Sequence, residues 1–207
     1  MAGLTIDLNL YADERALIDA LLAGDKHACA CMVRQHASQM YAVALRIMGD
    51  PDEAEDVVQD AFISACGKVA SFEGRSKLST WLYRITTNAA LMRLRKRRDD
   101  TVSLDEPQTG EEGELLPRQL GDWEIDPGRQ ALSSELRQVM EEAVESLPPS
   151  LRAAFVLRDI QGLSTQEAAE ALEISETALK VRLHRARLAL RERLAGYLAG
   201  QPQEMAP

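Results

Sequence analysis

The stretch "DDTVSLDEPQTGEEGELLPRQLGDWEIDP", residues 99–127, limits what this chain can fold into more than any other. It carries ten acids (Asp99, Asp100, Asp105, Glu106, Glu111, Glu112, Glu114, Asp122, Glu124 and Asp126) against one base, Arg118. Self-repulsion and low apolar content deny it a core of its own, so it reads as a linker or a tether that orders only in company. Cores must therefore form on either side. The formal net charge of −9 also belongs to this segment, because the other 178 residues hold 23 acids and 23 bases.

Both flanks are helical in pattern. Hydrophobic residues make up 45% of the chain and aromatics 4%, with much Ala, Leu, Arg and Glu, and no alternating β-branched run suggests a sheet. The reading is all-α: a helical domain over 11–98, an acidic linker over 99–128 and a second helical domain over 129–197. No run of eighteen apolar residues is present, and the amino-terminal stretch lacks a basic segment before an apolar one, so membrane insertion and a signal peptide are not expected. The expected location is cytoplasmic. Cys29, Cys31 and Cys66 do not form a disulfide framework and read as buried or incidental thiols. On a helix, His27 and Cys31 share a face while Cys29 points elsewhere, so no metal ligand set is expected.

In the first flank, "GDPDEAEDVVQDAFISACGKV" is the clearest helix. Asp50 can cap it, Pro51 suits its first position and Glu53 completes a capping-box pattern. Ala54, Val57, Val58, Ala61, Phe62 and Ala65 follow the spacing of a buried stripe, leaving Asp52, Glu55, Asp56, Gln59 and Asp60 on an acidic outer face. From pattern alone that face is a solvated one. A loop over Ser71–Ser79 precedes a helix in which Leu82, Ile85, Ala89 and Met92 keep core spacing. That helix ends in Arg93, Arg95, Lys96, Arg97 and Arg98, a run suited either to a helix carboxyl end or to a phosphate track.

The second flank holds a helix over about 132–147, broken by Pro148 and Pro149, and another from Ser150 to Gly162. Ser164 and Glu167 then form a capping-box pattern for a helix reaching Leu172, and Ser175 can cap a last helix to about Leu194. Two helices joined by so short a turn have helix-turn-helix spacing. In the last helix Leu179, Leu183, Ala186 and Leu190 form a core stripe. Val181, His184, Arg185 and Leu188 lie opposite, flanked by Lys180, Arg182 and Arg187. A basic face near the amino-terminal end is where a recognition helix meets base edges.

Three ordered segments resemble bacterial sigma factors of the extracytoplasmic-function type, over about residues 15–197. "DPDEAEDVVQDAF" is similar to the family's segment that grips the β′ clamp helices of RNA polymerase. "FEGRSKLSTWLYRITTNAALMRLRKRR" resembles its melting and −10-reading segment. "LPPSLRAAFVLRDIQGLSTQEAAEALEISETALKVRLHRAR" resembles its −35-reading domain. The resemblance implies polymerase contact through Asp56, Gln59 and Asp60. It implies −10 binding and melting through Phe72, Ser76, Lys77, Trp81, Tyr83, Arg93, Arg95, Lys96, Arg97 and Arg98. It implies −35 binding through Lys180, Val181, Arg182, His184, Arg185 and Arg187, the first two with His184 and Arg185 facing the groove.

The implied partners are core RNA polymerase (β′ clamp helices and β flap), promoter DNA and an anti-sigma protein, with no cofactor and no catalysis. The promoter elements lie about two helical turns apart, roughly 70 Å. A 29-residue linker can extend to about 95 Å, enough to reach. Departures from the family pattern are Glu173 at a turn position usually held by Gly, Ala178 and Val181 in place of hydroxyl residues, and Met92 where Asp is frequent. Two other readings remain open at this point. One is a helix-turn-helix regulator that is no polymerase subunit, although no receiver-like strand pattern supports it. The other is a helical interaction protein that does not read DNA, which leaves both basic surfaces unexplained. No nucleophile–base pair or phosphate loop supports an enzyme.

Overall fold

The computed structural model describes residues 11–74, 76–101 and 134–200, with side chains except at 98–101, 134–137 and 196–200. Among the described residues the chain forms α-helices and no strand. The helices are α1 (Glu14–Leu22), α2 (Ala28–Met48), α3 (Pro51–Lys68) and α4 (Leu78–Thr101) in the first half. In the second half they are α5 (Ser134–Glu145), α6 (Pro149–Phe155), α7 (Thr165–Ala171) and α8 (Glu176–Gly200). The predicted acidic linker lies, from residue 102 onward, outside the described residues.

Local chemistry sets the helix ends. Asp50 caps α3 by accepting the Glu53 N–H at 2.9 Å, with Pro51 at the first position. The Glu53 carboxylate does not return to the cap; it reaches Arg97 at 3.2 Å instead. Gly49 closes α2 at φ 73, the left-handed conformation that glycine adopts without steric cost, and turns the chain straight into α3. The start of α4 is capped from a distance: the Leu78 N–H donates to Glu14 Oε1 at 3.0 Å, which ties α1 to α4.

The predicted stripe on α3 is buried: Ala54, Val57, Ala61, Phe62 and Ala65 are almost wholly covered, Val58 is half-buried, and Asp52, Glu55, Asp56, Gln59 and Asp60 are exposed. On α4, Leu82 is buried and Ile85 and Ala89 are half-buried, but Met92 is 68% exposed. Met92 was expected in the core. It faces outward on its turn of α4, where the neighbouring Leu91 and Leu94 are the residues partly buried against the core.

The cysteine reading also needs correction. Cys29 and Cys66 are joined in a disulfide, with Cα atoms 6.0 Å apart, while Cys31 stays outside that bond as a wholly buried thiol. The antiparallel α2–α3 hairpin brings the start of one helix beside the end of the other, a pairing that a separation of 37 residues does not announce.

In the second half, α6 widens into a π-turn at Val156–Ile160, where the Gln161 N–H reaches the Val156 carbonyl at 2.9 Å, and Gly162 closes it at φ 72. Ser164 and Glu167 form the expected reciprocal capping box on α7. The Ser175 hydroxyl accepts the Ala178 N–H at 3.1 Å and starts α8. Leu179, Leu183, Ala186 and Leu190 are all buried, as their spacing predicts.

Between α7 and α8, Glu173 adopts φ 54, the one positive φ outside glycine among the described residues. A side chain there costs on the order of 1 kcal/mol. Glu173→Gly is therefore expected to raise stability by about 1 kcal/mol, less the loss of one exposed side-chain hydrogen bond. Urea denaturation of the variant beside the parent checks this; a lower midpoint would mean that the side-chain bond outweighs the strain.

The two halves share one core. Buried residues of α1–α4 are continuous with Ala153, Ala154, Val156, Leu157, Leu163, Ala168, Ala169, Ala171, Leu172, Leu179 and Leu183. A smaller cluster of Ala143, Leu147, Ala186 and Leu190 holds α5 to α8.

Candidate nucleic-acid interface

Three surfaces carry the residues singled out from the sequence. On α3, Asp56, Gln59 and Asp60 lie together on the exposed face. Ile63, one turn after Gln59, is 65% exposed on that helix. Sequence reasoning passed over Ile63, although an apolar residue off the buried stripe is a legible signal for an interaction face. Asp56 accepts from Arg93 at 2.7 Å and Glu53 from Arg97 at 3.2 Å, so the acidic helix and the basic end of α4 lie side by side. Exposed pairs of this kind are worth about 0.2–1 kcal/mol and exchange readily for other partners. Arg95 and Lys96 are exposed on α4; the Arg98 side chain lies outside the described residues.

The second surface is the start of α4 and the loop before it. Lys77 is exposed and Ser76 half-buried. Phe72 and Trp81 are turned inward, 5% and 4% exposed, with ring centroids 5.4 Å apart and planes tilted by 56°. Their contact fixes the loop against α4 and follows the tilted geometry that aromatic pairs favour. Neither ring is presented for stacking in this conformation. Tyr83 is also buried, and burial raises the pKa of its hydroxyl.

What covers this surface is the second half of the chain. Tyr83 Oη lies 3.4 Å from Gln161 Oε1, and Asn88 Nδ2 donates to Glu173 Oε2 at 3.1 Å. Lys77 Nζ sits 3.2 Å from Glu167 Oε1. The Glu167 carboxyl is held below its usual pKa by the Ser164 N–H, then by the Ser164 hydroxyl and by Lys77. The turn and first helix of the helix-turn-helix thus lie against the first half of α4. Nothing in the sequence singled out Asn88, Gln161, Glu167 or Glu173 for this seam, because the partner of each lies more than 70 residues away along the chain.

The third surface is the outer face of α8. Lys180, His184 and Arg185 are exposed, and Val181 and Arg182 are half-buried. Leu188, 46% exposed, continues the face. Arg187 makes a two-pronged bond to Asp159, with Nε and Nη2 at 2.9 and 2.8 Å from the carboxylate. That pair holds α8 to the π-turn and turns the Arg187 guanidinium toward its own domain. Among the described residues no three His, Cys, Asp or Glu side chains converge on one point, and no helix is long and apolar enough to cross a membrane.

Known proteins match this architecture. Sigma-70 region 2 matches residues 32–99, and Sigma-70, region 4 matches residues 137–190. The chain is 37% identical over 171 residues to the ECF RNA polymerase sigma factor SigW of Bacillus subtilis (strain 168), covering 83% of this chain and 91% of that one. A solved structure described as CnrH in complex with the cytosolic domain of CnrY superposes with a TM-score of 0.62 at 24% identity, over 88% of this chain and 97% of that one, a likeness of fold. The sigma factor RpoE of Bartonella quintana, solved with the anti-sigma factor NepR, superposes with a TM-score of 0.56 at 28% identity, over 79% and 94%. With a region 2 and a region 4 in their family order on one helical chain, this protein belongs to the extracytoplasmic-function sigma factors of the sigma-70 family.

Proposed function

We propose that the chain works as a dissociable initiation subunit with no catalysis of its own. It docks on the β′ clamp helices of core RNA polymerase through Asp56, Gln59, Asp60 and the neighbouring Ile63. It contacts the β flap through its second half. The loop before α4 and the α4 surface from Lys77 to Tyr83 read and open the −10 element, while Arg93, Arg95, Lys96, Arg97 and Arg98 hold the adjoining phosphates. The −35 groove takes Lys180, Val181, His184 and Arg185, with Arg182 beside the backbone. The work is cytoplasmic, where polymerase and DNA are.

One observation carries this reading: the exposed basic face of α8 and the exposed acidic face of α3 stand on one chain with both sigma regions. The closed seam adds a requirement. Tyr83 meets Gln161 just after the π-turn and Lys77 meets α7 in this conformation, so the halves must part before both can meet DNA. An anti-sigma protein that holds the closed form would keep the subunit silent. The Bartonella relative, solved with such a partner, supports extending that mode of control to this chain.

The test is run-off transcription with purified core polymerase on a genomic promoter library. A discrete set of promoter-specific products is expected, and their absence at permissive salt would sink the reading. Arg185→Ala should weaken discrimination at one −35 base pair by about 1–3 kcal/mol, roughly 5- to 150-fold, with core binding unchanged. Loss of core binding instead would overturn the assignment of α8.

A further inference from the structure

We propose that Cys29 and Cys66 are a reversible thiol–disulfide site that clamps the open end of the α2–α3 hairpin. Cys29 stands in the first turn of α2 and Cys66 in the last turn of α3, at the end of the hairpin opposite the Gly49 turn. Their Cα atoms are 6.0 Å apart, within the span that a disulfide bridges without backbone movement. Both residues are half-buried, open to a small reagent, whereas Cys31 is wholly buried. The site is therefore a pair selected by geometry from three cysteines.

The amino-terminal turn of a helix favours negative charge, which makes Cys29 the attacking thiolate. It attacks one sulfur of a low-molecular-weight disulfide RSSR and expels RS⁻, leaving a mixed disulfide on Cys29. The Cys66 thiolate then attacks the Cys29 sulfur and expels the second RS⁻. Overall, two protein thiols and one RSSR give one protein disulfide and two RSH. The protein loses two electrons and two protons, and both RSH molecules carry them away. A dithiol reductant runs the exchange backwards.

The clamp acts on the helix that presents Asp56, Gln59 and Asp60. Closing a loop of 37 residues restricts the unfolded chain strongly, while the native hairpin already holds the two sulfurs together. Oxidation therefore stabilises region 2 without asking the folded state to move. In the cytoplasm the resting form is the dithiol, and the disulfide forms when the glutathione pool turns oxidising.

The experiment uses the full chain, reduced and then incubated over a series of oxidised-to-reduced glutathione ratios. Alkylation after denaturation should fall from three thiols to one, Cys31, with a product two hydrogens lighter than the reduced chain. The oxidised form should melt about 5–10 °C higher. Cys31→Ala should keep this response, while Cys29→Ser and Cys66→Ser should each abolish it and remain folded by circular dichroism. Three alkylatable thiols at every ratio, a glutathione adduct that persists on Cys29 or Cys66, or an unchanged melting temperature would each overturn the proposal.

Discussion

Tying Asn88 to Glu173 should silence the protein. In a chain carrying Cys29→Ser, Cys31→Ala and Cys66→Ser, the added changes Asn88→Cys and Glu173→Cys place two thiols where the seam now has a 3.1 Å hydrogen bond. A short bis-maleimide with a cleavable disulfide in its spacer would join them. Promoter-specific run-off product is expected to fall about 50-fold, the remainder set by the few per cent of chains left unbridged. Reducing the spacer should restore it.

The size of this effect follows from geometry. A closed body of about 160 residues is roughly 40 Å across. The two promoter elements lie about 70 Å apart, so one closed molecule cannot touch both. The same seam covers Tyr83 and engages Lys77. Neither residue named for the bridge belongs to the proposed DNA-reading set, so the unbridged double variant serves as the control. Full transcription by the bridged form would show that the halves need not part.

Whatever is written in local periodicity was legible in the sequence. The Asp50 cap, the α3 stripe, the capping box at Ser164 and Glu167 and the core stripe of α8 each depend on residues three or four apart. Glu173 was legible too, since a turn that needs positive φ keeps its geometry when glycine is absent. Pairings between distant segments were not. Cys29 meets Cys66, Glu14 caps α4 and Gln161 meets Tyr83 only because the hairpins fold back on one another.

The aromatic residues mark the same boundary. Phe72 and Trp81 have the chemistry of a stacking platform, and the same chemistry suits a core; only packing decides, and here both are buried. Met92 erred the opposite way, with core spacing on a turn of α4 where Leu91 and Leu94 pack inward and Met92 faces out. The acidic outer face of α3 shows a third limit. Periodicity says that Asp56, Gln59 and Asp60 are exposed, but exposure has the same pattern whether water or a polymerase lies beyond it.

Arg152→Ala should be the most destabilising single change considered for this chain. Arg152 stands on α6, half-buried, and its guanidinium gathers carbonyls from two halves of the molecule. Nη1 donates to the Ile47 carbonyl at the end of α2 at 2.8 Å, and Nη2 to the Leu147 carbonyl at 3.1 Å and to the Glu145 carbonyl. Those oxygens lie at or just past helix ends, where no further turn supplies an N–H, and a cation there also meets the negative end of the helix dipole. Burial lowers the guanidinium pKa, with the Glu145 charge opposing that shift and Arg97 adding to it. An arginine guanidinium keeps its proton in proteins, so the positive charge stays in place at this joint.

Alanine would remove three charge-assisted bonds and leave partly buried acceptors without donors, a loss of about 3 kcal/mol. For a chain of this size that corresponds to a melting temperature lower by roughly 6–12 °C. Arg152→Lys separates charge from geometry. A single ammonium keeps the positive charge but cannot fork toward carbonyls on α2 and α5 together, so it should recover less than half of the loss. Recovery to the parent value would show that charge alone holds the joint, and an alanine variant as stable as the parent would show that the three bonds contribute nothing net.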